Sequence, residues 1–411
     1  MTAVLAELQG VCAGGARPAE PGDSVDGVAP DMVVSPRTTE EVSAAMRVAG
    51  SHGLSVVARG AGTKLDWGNP PESARLVIDL SQLAGVIEHE NDDLVARVYA
   101  GTTLANLFAA TSKARQCFPV DEVVPGSTVG GVVATGLSGP VRHLHGAVRD
   151  LVLGATIVRA DGAVARAGSK VVKNVAGYDL AKLFTGSYGT LGILTELTLK
   201  LKPLPAARRF VVASYPGPSD LVAPLQRLLA SQTVPSAIEV DRPGPESPVQ
   251  LAVLVEGRPA PVEQRSSDVA AALGTYDIRT EAPPGWGELP GPITLKLTSV
   301  LSGIPSLVQG ASSLASDKAM AARICGSAGS GVLFMGLPVE VPAPDLRALV
   351  DSLRTICAGL GGHTTVLRAP AWLKSNLDVW GPVPGIDLMR RVKEKFDPAR
   401  RLAPGRFVGG I

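Results

Sequence analysis

The sequence predicts an α+β protein of two domains followed by a C-terminal segment. Three observations predict it. Near the N-terminus, strand, helix, strand and glycine loop follow one another. The stretch Pro125–Gly139, PGSTVGGVVATGLSG, carries glycines at 126, 130, 131, 136 and 139 and neither a charge nor an aromatic ring. Pro203 and Pro205 end a cleanly alternating strand, and beyond them the pattern changes. The expected divisions are 1–205, 206–370 and 371–411, in keeping with two or three domains in 411 residues.

Hydrophobic residues make up 45% and aromatic residues only 4%, so aliphatic side chains must build the cores. A formal net charge of +1 offers no electrostatic basis for nucleic-acid binding. No apolar run reaches the roughly 20 residues of a membrane span. The start, MTAVLAELQG, lacks the regions of a secretory leader. Cysteines 12, 117, 325 and 357 show no CxxC spacing. A conventional iron–sulfur or zinc site is therefore not expected, and a reducing cytoplasm is the expected compartment.

Residues 1–28 suggest a short helix and a loose approach, and 29–34 a strand. Thr38 with Glu41 is a capping-box pattern, and Val42, Ala45, Met46 and Ala49 have helical spacing up to about Gly50. Residues 55–58 form a strand that leads into the loop Arg59-Gly-Ala-Gly-Thr-Lys-Leu65. Strands follow at 76–80 and 94–99, and a helix at 103–113. After the glycine-rich stretch, 151–159 and 163–167 pair across the turn Asp161-Gly162. In 193–202, Leu197, Leu199 and Leu201 share one face. The second domain shows strands at 210–214, 250–256 and 293–298 and helices at 221–232, 261–273 and 345–359. Its segment EAPPGWGELPGP, 281–292, is a surface loop, and a last helix spans 386–395. No internal repeat or low-complexity tail is present.

The glycine-rich stretch has two readings on its own. Glycines and small hydroxyls suit a backbone cradle for a phosphorylated cofactor, and they equally suit a turn where two elements pack closely. RGAGTKL is neither a dinucleotide fingerprint nor a Walker loop, because Leu65 stands where a third glycine would fall and GxxxxGK[ST] is absent. The order matters more: RGAGTKL, then PGSTVGGVVATGLSG, then GSYGTLGILTELTLKLKPLP at 186–205.

These motifs, in this order, resemble the FAD-binding fold of the vanillyl-alcohol oxidase and p-cresol methylhydroxylase (PCMH) superfamily. From GPVRHLHGAVRDLVLGATIVRADG onward, through NVAGYDL and GTLGILTEL, the sequence is similar to the FAD-binding E subunits of bacterial glycolate oxidases. GHTTVLR at 362–368 and the terminal FDPARRLAPGRF are similar too. The resemblance implies a PCMH-type FAD domain of two subdomains, an α+β cap domain, and a C-terminal helix returning to the FAD domain. It implies that Gly60, Ala61, Gly62, Thr63 and Lys64 wrap the pyrophosphate through backbone N–H groups, flanked by Arg59 and Leu65. Pro125, Gly126, Thr128, Gly131, Thr135, Ser138 and Gly139 would line the cofactor from ribityl chain to ring, and Ile193 would meet the adenine end. Fixed N–H dipoles would then neutralise the phosphates without a cation. Many relatives tether the flavin through a histidine in the first loop. Lys64 stands there, so non-covalent FAD is expected. The usual terminal Asn-Pro-Gly-Arg is Ala403-Pro404-Gly405-Arg406, which gives that end less weight as a cofactor contact.

Flavin oxidation of a 2-hydroxy acid needs a base for the hydroxyl proton and a cation for the carboxylate. His52, at a helix end, and His89, in a polar turn, read as surface residues. His143 and His145, in a strand-like or loop segment, and His363 are candidates, each against an ordinary turn or core role; His145 is the chosen one. Arg142, Arg149, Lys170 and Lys173 lie near the flavin segments, and surface charge is the plain alternative for each. Arg142 leads because it follows the glycine-rich stretch by three residues. Arg368 follows an apolar run, and Tyr178 and Asp179 suit packing and helix capping. No metal site is expected. Standalone D-2-hydroxy acid dehydrogenases of the superfamily carry a GDGN-type metal-binding segment, and this sequence has none. That fits a subunit oxidising glycolate with a second FAD subunit and an iron–sulfur subunit, cytoplasmic or held at the inner face of the membrane through them. A standalone FAD-dependent oxidoreductase and a non-catalytic flavin scaffold are the rival readings.

Overall fold

The computed structural model describes residues 2–168 and 179–411 and divides the chain into two units. Of the residues weighed above, Lys170, Lys173 and Tyr178 lie outside the described residues, as does most of NVAGYDL.

The first unit comprises 1–137, 147–204 and 382–411. Its smaller sheet runs Ala16–Pro18, Met32–Val34, Leu76–Asp79, Val56–Arg59, with the last three strands parallel. Helix Thr39–Ser51 packs Val42, Ala45, Met46 and Ala49 against Met32, Val34, Leu76 and Ile78. Thr38 caps it by accepting from Glu41 N at 3.1 Å, while the Glu41 carboxylate accepts from Arg37 N instead of closing a full box. The larger sheet is antiparallel throughout, in the order Val86–Glu90, Val95–Tyr99, Ile193–Lys200, Val152–Val158, Val164–Gly168. Leu197 and Leu199 are fully buried, with Leu104, Leu107, Val129 and Val133 in the same core. His89 sits in a strand, not a turn, and its Nε2 lies 2.9 Å from Gln116 Oε1.

Pro125–Gly139 is not all loop. Val129–Thr135 is a short helix, because Thr128 accepts from Gly131 N and Gly136 supplies the left-handed stop at φ 65°. The helix Ile386–Phe396 returns to this unit and sets Phe396 edge-on against Phe184 at 5.7 Å. The tail behind it joins the smaller sheet, where Val56 N donates to Arg401 O and Ala403 N to Val56 O. Lys393 and Asp397 tie these pieces together. The Lys393 ammonium donates to Asp397, Thr190 O and Leu402 O at 2.8, 2.8 and 2.9 Å, so all three of its donors are satisfied.

The second unit comprises 138–146 and 205–381, so 138–146 and 371–381 both lie in it. Its eight-stranded antiparallel sheet runs Asp277–Arg279, Ala207–Tyr215, Val249–Gly257, Ala237–Arg242, Arg323–Ser327, Val332–Leu337, Ile293–Thr298, Thr364–Arg368. Helices Val222–Ala230, Pro259–Leu273, Ile304–Asp317 and Ala343–Gly359 bury one face against Val253, Leu295, Leu333 and Met335. On the other face, Phe210, Val212, Ala237, Ala252 and Leu254 pack under Val141 and Trp286. The 281–292 loop is therefore anchored, with the Trp286 ring edge-on to Phe210 at 5.1 Å. Val366 N donates to Val379 O at 2.8 Å, which holds residues after 370 to this sheet.

Candidate functional site

Strand Val56–Arg59 delivers the loop that ends at Leu65, and Arg59 fixes its root. The guanidinium donates to Asp79 Oδ2 at 2.7 Å and to Asp23 Oδ1 at 2.9 Å. Arg17 forks onto the same Asp23 at 2.7 and 2.9 Å. Hydrogen bonds from Arg17, then from Glu20 N and Arg59, hold the Asp23 carboxyl well below the usual carboxylate range despite its burial. Arg59 thus supports the loop through carboxylates. Gly60 is sterically required, since a Cβ there would lie 2.3 Å from Thr128 Oγ1, and Gly62 has φ +75°.

Helix Val129–Thr135 faces this loop. Gly186 N and Tyr188 N donate to Val133 O and Ala134 O at 2.9 and 2.8 Å, which stitches the turn before Ile193 to the helix end. Tyr188 holds φ 55°, a left-handed conformation that costs a side-chain-bearing residue about 1–3 kcal/mol. The last wall is Arg406. Its Nη2 donates to Lys64 O and Leu65 O, and its Nε to Trp67 O. Burial pushes its guanidinium below the ordinary arginine pKa.

Together these segments line one cleft that is open to solvent. The whole loop Arg59–Leu65, Thr128, Gly131, Thr135 and Ile193 line this cleft. Pro125 and Gly126 are not in its lining; Gly126 N is spent on Glu122 Oε1 at 3.0 Å. Ser138 and Gly139 belong to the second unit. Ser187, Tyr188, Gly189 and Arg406 line the cleft although the sequence reading did not select them. The motif GSYGTLG offered a signal for the first three, because its glycines at 186 and 189 suit a turn where backbone approaches a ligand closely.

The donor set fits an anionic dinucleotide. The Lys64 ammonium is buried in this lining, and its partners are Ser127 Oγ at 2.6 Å and Thr63 Oγ1 at 2.9 Å. Among the described residues no carboxylate lies within ion-pair distance of it. Burial pushes its pKa down to about 8, with Glu122 pulling the other way to a lesser extent. A phosphate would meet that need, and a neutral ligand would not.

The substrate-side candidates Arg142, His143, His145, His363 and Arg368 lie in the second unit. Arg142, His143 and His145 sit on the short helix Arg142–His145, not on a strand or loop. His143 Nδ1 donates to Gly329 O at 2.9 Å, so this ring docks the helix. Arg368 ends strand Thr364–Arg368 opposite Thr294. Lys296, which the sequence reading passed over, lies on the same face. Its signal was the run ITLKLT, where period-two alternation sets Lys296 opposite Ile293, Leu295 and Leu297. Burial, then the Arg142 charge, pushes Lys296 down to about 8. Burial, then Lys296, lowers the His363 pKa, and His363 Nδ1 lies 3.1 Å from Thr298 Oγ1. Arg149 is exposed in the first unit, and Asp179 pairs with Lys182 at 3.1 Å without capping a helix. Among the described residues no group of three or more His, Cys, Asp or Glu side chains is placed to hold a metal, and no helix is long and apolar enough to cross a membrane.

Residues 30–168 match the family described as FAD binding domain, and 254–407 match the C-terminal domain of FAD linked oxidases. Glycolate oxidase subunit GlcD of Bacillus subtilis is 28% identical over 92% of this chain and 89% of its own length. Glycolate oxidase subunit GlcE of Escherichia coli is 41% identical over 37% of this chain and 43% of its own length. The solved 4-ethylphenol oxidase of Gulosibacter chungangensis superposes with a TM-score of 0.75 at 16% identity, covering 98% of this chain and 96% of that one. An alkyldihydroxyacetonephosphate synthase gives 0.69 at 18% identity, over 92% and 76%. With an FAD binding domain matched at one end and the C-terminal domain of FAD linked oxidases at the other, the chain is an FAD-dependent oxidoreductase.

Proposed function

We propose that this chain is the FAD-binding subunit of a glycolate oxidase or dehydrogenase complex. It oxidises a 2-hydroxy acid, glycolate to glyoxylate, and passes electrons to an iron–sulfur partner beside a second FAD subunit. Those partners would also provide any attachment to the inner face of the membrane. The observation that carries the reading is the cationic face of the second unit, where Lys296 has Arg142 and His363 within electrostatic reach and Arg368 on the same side. Similarity to the glycolate oxidase subunits GlcD and GlcE supports it.

In this reading Lys296 with Arg142 or Arg368 holds the carboxylate. His363 is kept neutral by burial and by the neighbouring lysine. With Nδ1 against Thr298, its Nε2 is left to accept the hydroxyl proton. Bound FAD supplies the two-electron acceptor. The cofactor is held by the cleft of the first unit without a covalent link. His145 and Arg142 remain the candidates on the short helix.

A standalone hydroxy-acid dehydrogenase is the second reading. It is favoured by the D-lactate dehydrogenase of Archaeoglobus fulgidus, 35% identical over 46% of this chain and 42% of its own length. Purified chain, loaded with FAD, is to be assayed on a hydroxy-acid panel with a dye acceptor, alone and with its co-purifying subunits. Glycolate turnover that appears only with the subunits is expected. Full turnover by the chain alone would select the second reading, and a flavin that no partner complex can reduce would select a scaffold. Acid precipitation should release all the flavin into the supernatant.

A further inference from the structure

The sequence reading assigns phosphate neutralisation to backbone dipoles alone, and the structure adds a charge to that cleft. Lys64 is 7% exposed, yet its neighbours are hydroxyls. Ser127 Oγ already donates to Val124 O at 2.6 Å, so it can only accept from the ammonium. Thr63 Oγ1 takes a second N–H at 2.9 Å. An ammonium has three donors, and the third has no partner among the described residues. A charge buried this way is costly until a counter-charge arrives. The glycines leave room for one. A Cβ at Gly131 would lie 3.9 Å from Lys64 Nζ and 3.1 Å from Thr128 Oγ1. Arg406 braces the backbone of the same residue through Lys64 O at 2.9 Å, so the lysine is fixed at both ends.

We infer that the Lys64 ammonium is the charged contact for the phosphates of FAD, donating from Nζ to a phosphate oxygen and making cofactor retention charge-dependent. The inference rests on FAD binding by this unit and not on the substrate reading. The other charged or titratable groups around the cleft are otherwise engaged or more distant. Arg59 is held by Asp23 and Asp79. Arg406 is held by three carbonyls, with Tyr188, Asp26 and Asp66 acting on it electrostatically. Glu122 acts on Lys64 less than burial does, makes no ion pair with it among the described residues, and accepts from Gly126 N.

The test uses the cofactor-free full chain and three ligands: FAD, ADP and riboflavin. Binding is read by calorimetry and by flavin fluorescence. Lys64→Met should weaken FAD and ADP by about tenfold or more, roughly 1.4 kcal/mol, and leave riboflavin within about twofold. The melting temperature of the cofactor-free variant should hold or rise, because a buried charge is gone. A second measurement needs only wild-type protein. ADP binding at about pH 9 should take up a proton, seen as a buffer-dependent heat, and at about pH 7 it should not. FAD and ADP affinities unchanged by Lys64→Met would overturn the inference. So would an equal loss for all three ligands with a lower melting temperature, which marks a structural lysine. Wild-type protein that binds riboflavin and FAD equally also overturns it, whereas wild-type protein that binds no flavin at all refutes the cofactor assignment itself.

Discussion

Arg406 Nη2 donates to Lys64 O at 2.9 Å across 342 positions of sequence. The same guanidinium reaches Leu65 O and Trp67 O, so one residue near the C-terminus sets the curvature of the first glycine loop. Arg406→Met takes a donor from each of three carbonyls, of which Lys64 O keeps the Trp67 N–H, at about 1–3 kcal/mol for each buried group left unsatisfied. FAD affinity should fall by about tenfold or more, with a lower melting temperature. Titration of the cofactor-free variant with FAD checks it, and unaltered affinity would show that the loop holds its shape unaided.

Lys64 also predicts a stability profile. Its folded pKa, about 8, lies below the ordinary lysine value of 10.5. A group depressed on folding contributes stability above its unfolded pKa and loses it as pH falls through the folded one. Relative to Lys64→Met, the cofactor-free wild type should therefore gain stability between about pH 8 and 10.5. Melting temperatures across that window, compared between the two proteins, measure the difference.

The Lys393–Asp397 pair gives a stability test independent of cofactor. Asp397 is fully buried and also accepts from Arg401 N and Leu402 N. Asp397→Asn leaves a buried ammonium uncompensated and should cost about 3–5 kcal/mol. Adding Lys393→Met should recover part of the loss, as expected for coupled residues. Urea denaturation of the single and double variants decides it. Additive losses would mean the two side chains act separately.

Much of the fold was legible because its signals are local. The Thr38 cap, the Asp161-Gly162 turn and the alternation of 193–202 each depend on a few neighbours, and each appears where the residues put it. Strands Ala237–Arg242, Arg323–Ser327 and Val332–Leu337 were not read. Gly326 and Gly336 interrupt the β-branched pattern in two of them, and the reason lies in tertiary contact. A Cβ at Gly336 would come within 2.4 Å of Pro290, in the loop that carries Trp286. The cleft was legible in outline from its glycine loops. Arg406 was underrated because its task is to hold a backbone 340 residues away, and Lys64 because its burial without a carboxylate is visible only in three dimensions.

On the proposed substrate side, Lys296→Met should raise KM for glycolate by about tenfold or more while FAD affinity stays the same. The histidine offers a sharper readout. Burial and the Lys296 charge both lower the His363 pKa, so the acid limb of kcat/KM should lie below the ordinary histidine value. Removing the Lys296 charge should move that limb upward. An acid limb indifferent to Lys296→Met would separate His363 from the proton transfer.

The pairing of residues 401–403 with Val56 has a consequence for how the protein is made. Synthesis runs from the N-terminus, so the ribosome completes the whole 205–381 unit before Arg406 exists. A nascent chain can fold its second unit while its first still lacks the strand partner of Val56 and the brace on Lys64. Flavin capture therefore comes late, after residues 401–406 have been made. A chain truncated after 381 should accumulate without yellow colour, whatever the supply of FAD.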